Sequence, residues 1–490
     1  MCKKIMFFLL FCSASFVHAS DVFKADKYFA SQQYALAKQA YLGAAKVGSP
    51  RAYYQLGVMN LKGLGQAPDV ALALTYYALA AEYNFHNAQS IIDQALSSLP
   101  DESKQAFINT INAHKKQHGR AIIEKAYFPV INKDAIPHRV TFDGEPALES
   151  RFDSDDFAQE LIDDFNDPDL SEEDESFVFI STPKTPFIII DIDIAPDGTV
   201  RHHSDVQKMG ARADALIKEF THFPLAQPEF KAYNTHFIHR VYLGTAGLNR
   251  HALKQENEPL YNELRKRYRQ LKTATSLKER YDFIILLRNF SWLNKDNIDV
   301  NAELLRLSQK GHPGAMYEYA MMLYREQTDI EQAIYWLFSA SQFGLHRAQY
   351  RLARLLQTSP WVYFDEKKAF FWYTQALNNG AQAAKLRLAD LHLTSRDKSL
   401  RDADRAATFL SDIAQENRDN PEYYYLLALS YRDRTDRNFT LVRSNLQHAV
   451  TRGDAKGWDV SGWRALLNAL KTGTVISCEI VDGIETSCQK

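Results

Sequence analysis

Gly311-His312-Pro313-Gly314-Ala315, Gly344-Leu345-His346-Arg347-Ala348 and Gly380-Ala381-Gln382-Ala383-Ala384 open three similar stretches of one chain. The leading glycines lie 33 and 36 residues apart, and the alanines that close each motif keep the same intervals. An aromatic run comes late in the first two stretches, Ile334-Tyr335-Trp336-Leu337 and Phe371-Trp372-Tyr373. A period of this length is the signature of stacked helix-turn-helix repeats. The fold class that follows is mainly α, a repeat solenoid.

The same frame returns near the start. Ala40-Tyr41-Leu42-Gly43-Ala44-Ala45 aligns with Tyr76-Tyr77-Ala78-Leu79-Ala80-Ala81, 36 residues on, and Ala52 and Ala88 keep that interval. Between them stand Leu56-Gly57, Lys62-Gly63-Leu64-Gly65 and Asp69. This pattern resembles a Sel-one-like repeat, a relative of the tetratricopeptide repeat. The physics agrees: small residues let helices approach closely, Gly63 and Gly65 serve the turn, and the tyrosines fill the stack. Pro100-Asp101-Glu102 starts a further helix that caps this first array.

Composition sets outer bounds. The chain has 490 residues, 46% hydrophobic and 24% charged, enough to bury a large core. Net charge is −2, with 58 basic and 60 acidic residues, so no global positive field attracts nucleic acid. Lys3 and Lys4, an apolar run from Ile5 to Val17 and Val17-His18-Ala19 read as a signal peptide cleaved between Ala19 and Ser20. Phe11 is too large for a lipoprotein signal at Cys12, and the apolar run is too short to span a bilayer. The mature chain is expected in the periplasm, with no transmembrane segment. It keeps Cys478 and Cys488, flanking Asp482-Gly483, a hairpin signal. A three-residue loop or a bulge would set the two cysteines opposite one another, and an oxidising compartment favours a structural disulfide.

Between the arrays the helical period stops. Residues 129–150 carry Pro129, Pro137 and Pro146 and read as irregular or strand-like. Residues 153–176 hold 12 acidic residues in 24 and no Lys or Arg, an exposed acidic insertion, partly helical between Asp155 and Phe165. A calcium loop starting at Asp167 fails where Glu172 replaces the turn glycine and Val178 the last ligand. Phe187-Ile188-Ile189-Ile190-Asp191-Ile192-Asp193-Ile194 reads as a strand, with Ile190, Ile192 and Ile194 on one face. Pro196-Asp197-Gly198 turns the chain, Thr199–Val206 returns, Ala211–Thr221 is a short helix, and Thr235–Leu243 is a third strand. This is a small α+β unit with an antiparallel sheet.

That order, with Ile-x-Pro-Asp-Gly-Thr-Val at the hairpin and Phe-Pro-Leu-Ala-x-Pro after the helix, resembles the C-terminal domain of TonB-type energy transducers. The resemblance covers about 60 residues of this chain. It implies that a strand of the unit pairs with a partner peptide, here His236, Phe237, Ile238, His239, Arg240 and Val241. The mid-chain position and the lack of a long Pro-rich spacer depart from that family, so energy transduction is not carried over.

Residues 251–310 return to helix. Glu258–Lys272 is amphipathic, and its Arg265, Lys266, Arg267 and Arg269 read as a solvated face. Repeats dominate again from Ala302 to Gly453, with Asp397–Asp404 as a charged linker, a restart at Asn420-Pro421-Glu422 and a closing helix from Trp458 to Leu470. The domain reading is 1–19 signal peptide, 20–127 first array, 128–183 irregular and acidic, 184–246 TonB C-terminal-like domain, 251–472 second array and 473–490 hairpin. The fold is thus two arrays of helix-turn-helix repeats flanking a small α+β domain.

Chemistry-bearing sets are sparse. His202 and His203 alternate across a strand, as do His236 and His239. His114 and His118 share a helix face, but Lys115 stands where a metalloprotease has Glu. No metal site, cofactor or catalytic residue is assigned. Asp191 and Asp193 read as the solvent face of a half-buried strand, or else as paired carboxylates. The expected function is a non-enzymatic scaffold of the cell envelope that binds an envelope protein or peptide. An outer-membrane protein as partner in TonB-dependent transport, and an envelope hydrolase using Asp191 and Asp193, are the alternatives.

Overall fold

The computed structural model describes residues 21–143, 187–209, 217, 220, 225–244, 248–472, 477–481 and 484–489. The signal segment with Ala19 and Ser20, the acidic stretch 153–176, most of the Ala211–Thr221 helix and the Asp482-Gly483 turn lie outside the described residues. The chain forms two compact units. One runs to Tyr127 and includes residues 342–345 and 378–380; the other holds the rest.

The first unit is helical: α1 Val22–Ala30, α2 Tyr34–Ala45, α3 Pro50–Lys62, α4 Val70–Ala81, α5 Ala88–Ser97, α6 Asp101–His118 and α7 Arg120–Tyr127. Its starts are local chemistry. Asp69 caps α4 by accepting from the Leu72 N–H at 2.9 Å, and Pro50 opens α3, where no N–H is needed. Gly63 ends α3 in the left-handed region at φ +65°. Ala37, Tyr41, Ala44, Ala52, Leu56 and Met59 form the core between α1, α2 and α3. Gly57 is where α3 meets the ring of Tyr77: a Cβ there would lie 3.0 Å from ring carbons. Gly57→Ala is therefore expected to destabilise the α3–α4 pair by about 1–3 kcal/mol. Hydrogen exchange of residues 50–81 would show roughly 10- to 100-fold faster opening. Unchanged protection would mean that Tyr77 yields at no cost.

The second unit begins with an extended segment containing β1 Thr141–Phe142. The strands β2 Phe187–Ile194, β3 Val200–Met209, β4 Pro228–Phe230, β5 Tyr233–Asn234 and β6 Phe237–Gly244 follow. Next come α8 Arg250–Glu256, α9 Glu258–Lys272, α10 Leu277–Asn289, α11 Val300–Gln309, α12 Pro313–Glu326, α13 Ile330–Gln342, α14 His346–Thr358 and α15 Glu366–Asn378. The chain continues through α16 Ala384–Thr394, α17 Ala403–Asp412, α18 Pro421–Asp433, α19 Phe439–Ala455 and α20 Ser461–Thr472. It ends in the hairpin β7 Ser477–Val481 and β8 Ile484–Gln489.

The punctuation read in the sequence acts as caps. The His312 ring accepts from the Ala315 N–H at 3.1 Å with Pro313 in the first turn of α12, and Asn420 accepts from Glu422 N–H at 3.1 Å ahead of α18. The stretch Asp397–Asp404, expected as a linker, instead contains a 3₁₀ turn at Lys398–Leu400 and the start of α17. Asp397 and Asp402 drive this by capping the two in turn.

Strands β3, β2 and β6 form an antiparallel sheet in that order, and β1, β4 and β5 form a second. Ile188, Ile190, Ile192 and Ile194 pack with Ile217, Val241 and the partly buried Phe220, Leu225 and Leu243, the apolar face that the alternation called for. In the terminal hairpin Cys478 lies opposite Cys488, and the register shifts between Glu479 and Ile480, the bulge arrangement.

Candidate functional site

The other face of β2 holds Ile189, Asp191 and Asp193. The expectation of a solvent face is corrected here: Asp191 is 0% and Asp193 3% exposed. The sheet lies with this face on the first helices of successive repeats, so what alternation labels polar is a second buried surface. Ile189 joins Leu253, Tyr261, Phe283 and Ile284 in the core of the preceding helices. The two aspartates meet arginines instead.

Arg240, opposite Asp191 on β6, donates to Asp191 from Nε at 2.8 Å and Nη2 at 2.9 Å. Its Nη1 donates to Glu318 of α12 at 2.9 Å. Arg325, at the end of α12, donates to Asp191 at 3.2 Å. Asp193 accepts from Nη1 of Arg351 and, at 3.3 Å, from Nε of Arg354, both on α14. Further along, the Arg387 guanidinium on α16 grips the Glu422 carboxylate of α18. At the hairpin turn Arg201 donates to Asp197 at 2.5 Å and lies 3.5 Å above the Trp458 ring, while Asp197 accepts from the Asp459 N–H at 2.9 Å. The sheet is thus tied to the array from α12 to the segment before α20.

The electrostatics follow from burial and pairing. Burial alone would raise the Asp191 and Asp193 carboxyls. The guanidinium groups of Arg240 and Arg325, and of Arg351 and Arg354, outweigh it and hold both below the usual carboxylate range. Arg325 is pushed down to about 10 by burial and by Arg240 beside it. Burial pushes His202 and His236 down to about 3, so both rings are neutral. A buried charge array of this kind adds little net stability over an apolar replacement, but removing one partner is costly.

The extended segment before β1 is held differently. The Gln327 side-chain amide accepts from the Val140 N–H at 2.7 Å and donates to the Val140 carbonyl at 3.0 Å. Trp361, fully buried, donates from Nε1 to the His138 carbonyl at 3.0 Å. These contacts read backbone, not sequence.

The other residues singled out in the sequence fall as follows. On β6, Phe237, Ile238, Arg240 and Val241 are buried and His239 is half-buried, as is His236 just before the strand. Among the described strands β6 pairs only with β2. The His114 and His118 rings are 6.5 Å apart on α6. As a candidate catalytic pair Asp191 and Asp193 are engaged and enclosed, so they offer a substrate no accessible carboxylate. Sequence reasoning missed Glu318, Arg351 and Arg387. A signal was present: they stand 33 and 36 residues apart, the repeat interval itself, so one position of the first helix carries charge in three successive repeats.

No described helix is long and apolar enough to cross a membrane. No curated protein matches the chain. Among solved structures, a Sel1 repeat protein from Oxalobacter formigenes aligns at 18% identity with TM-score 0.31. That alignment covers 42% of this chain and 58% of that protein, so this chain spans less than two thirds of it. The protective antigen c5321 of uropathogenic Escherichia coli strains, which displays an SLR fold, aligns at 12% identity over 93% of this chain and 72% of its own, with TM-score 0.32. The Sel1 repeat family model matches residues 50–82, 313–342 and 346–380, where the glycine and alanine spacing places the repeats, and the chain carries Sel1 repeats in these three segments.

Proposed function

We propose that this protein is a non-catalytic protein-binding scaffold of the bacterial cell envelope. Sel1 repeat proteins act as protein–protein interaction scaffolds. One observation carries the reading to this chain. Its repeat helices already hold extended polypeptide in cis, through the charged row that meets β6 at Arg240 and β2 at Asp193 and through the Gln327 amide on Val140. A surface that reads strands and backbone suits an unfolded or extended segment of a partner. In-cell cross-linking of the tagged mature chain, with mass-spectrometric identification, tests this. One or two dominant envelope proteins that then bind the purified chain saturably are expected. Recovery of cell-wall fragments alone would overturn the scaffold in favour of an enzyme.

The periplasmic location rests on the segment ending at Ala19. It entails oxidation of Cys478 and Cys488, which the hairpin register sets opposite one another. Without reduction, both cysteines are expected to resist alkylation, and the peptide joining them to be two hydrogens lighter than its reduced form. Free alkylation of the periplasmic protein would refute the disulfide.

A second reading, a component of TonB-dependent transport, is supported by the strand order β3-β2-β6, which suits the resemblance to the TonB C-terminal domain. In it, residues His236 to Val241 pair with a receptor peptide along the side of β6 away from β2. Co-purification with an outer-membrane receptor is its requirement.

A further inference from the structure

We infer that the cleft between α14 and the start of β6 is a binding site for a small monovalent inorganic anion, chloride in the first instance. Asp193, His236, Tyr324, Arg351, Arg354 and Thr358 line it, with Phe237 and Leu355 as apolar wall. The proposal stands apart from the scaffold reading and concerns how the sheet is held on the repeats.

Charge is the first argument. Two guanidinium groups, 2% and 8% exposed, face one carboxylate on this wall, and Asp193 is shared between them. The acidic groups beyond do not make up the difference. Glu422 is taken by Arg387. Asp390, which accepts from the Thr394 hydroxyl at 2.9 Å, is pushed toward its neutral form by burial. His202 and His236 are neutral for the same reason. The cleft wall thus sets two guanidinium groups against one carboxylate, and a charge with so little solvent access is costly to leave unpaired and holds a counter-charge strongly.

Unpartnered donors are the second argument. Nε of Arg351 and Nδ1 of His236 are buried with no hydrogen-bond partner. Buried polar groups in native proteins are nearly always paired. An anion in the cleft accepts from a guanidinium N–H and from the Nδ1–H tautomer of a neutral imidazole. A water would satisfy the same donors but leave the charge.

Size is the third. The cleft admits a body about as large as one water molecule. That excludes phosphate, sulfate and nucleotide, and leaves a monatomic ion or a single water. Bound there, the ion would lie between α14 and β6 and lock sheet to repeats.

The test is thermal unfolding of the full chain in chloride against gluconate, too large to enter, at equal ionic strength. Tryptophan fluorescence is the readout, since all six tryptophans lie in the second unit. Chloride is expected to raise Tm saturably, by about 1–2 °C between the half-saturating concentration and ten times that value. Arg354→Gln removes the excess charge while leaving Arg351 on Asp193, and should abolish the chloride dependence. Should that variant not fold, crystals of the wild-type chain grown in bromide should show an anomalous peak within hydrogen-bond distance of Arg351 Nε or His236 Nδ1. Equal Tm in the two salts, an undiminished chloride effect in Arg354→Gln, or bromide density absent from the cleft would each overturn the proposal; the last two mark a water there or binding elsewhere.

Discussion

Replacing Arg240 by methionine is expected to destabilise the second unit by about 3–5 kcal/mol, the cost of removing one partner from a buried ion pair. Among the described residues, Arg240 is the cation that donates to both Asp191 and Glu318. Without it, Glu318 is left buried without that donor, while Asp191 still accepts from Arg325. The methionine fills the volume, so the loss is electrostatic rather than a cavity. Urea unfolding followed by tryptophan fluorescence reads it, because the first unit holds no tryptophan. The companion variant Asp191→Leu, Arg240→Met, Glu318→Leu should recover most of the loss, since an apolar replacement of a whole buried network is often neutral or stabilising. A loss under about 1 kcal/mol for the single variant would show that water reaches these carboxylates. Failure of the triple variant to recover would show that the charges are needed for register.

Acid is expected to weaken the same unit well before its carboxylates titrate. The sign follows from the imidazoles. His202 and His236 are held near 3 by burial, against about 6.5 in the unfolded chain. Between these values the unfolded chain binds more protons, so stability rises with pH. The contribution is complete above about pH 6.5 and is lost as pH falls toward 3. At pH 4.5 each histidine costs about 2–3 kcal/mol, at 1.36 kcal/mol per unit of pH below its unfolded value. His312, pushed down to about 4 by burial, acts in the same direction. Asp191 and Asp193, held low by their arginines, add a further loss only below the ordinary carboxylate range. The urea midpoint should thus be flat above pH 7 and fall steeply from pH 6.5 to 4.5. His202→Asn with His236→Asn should flatten most of that fall. An unchanged slope in the double variant would assign the acid sensitivity to other groups.

The repeats were legible because their causes are local. Proline or a capping side chain starts α3, α4, α12 and α18, glycine ends α3, and a small residue stands where helices touch, as Gly57 does against Tyr77. The hairpin at Pro196-Asp197-Gly198 and the isoleucine face of β2 were legible for the same reason, since a period of two follows from the pleat. The polar face of β2 was not. Alternation says that Asp191 and Asp193 point away from the isoleucines; it does not say what lies there.

The sequence by itself determined the kind of structure: helix pairs of fixed period, a short antiparallel sheet, and two cysteines placed to meet across a hairpin. These are decided within one repeat or one turn, by backbone geometry and caps. Only the tertiary structure decided that the sheet lies on the row of first helices. The arginines that receive Asp193 stand 158 and 161 residues away in sequence. Burial of a charge depends on the whole surroundings of that charge, and no local pattern encodes them.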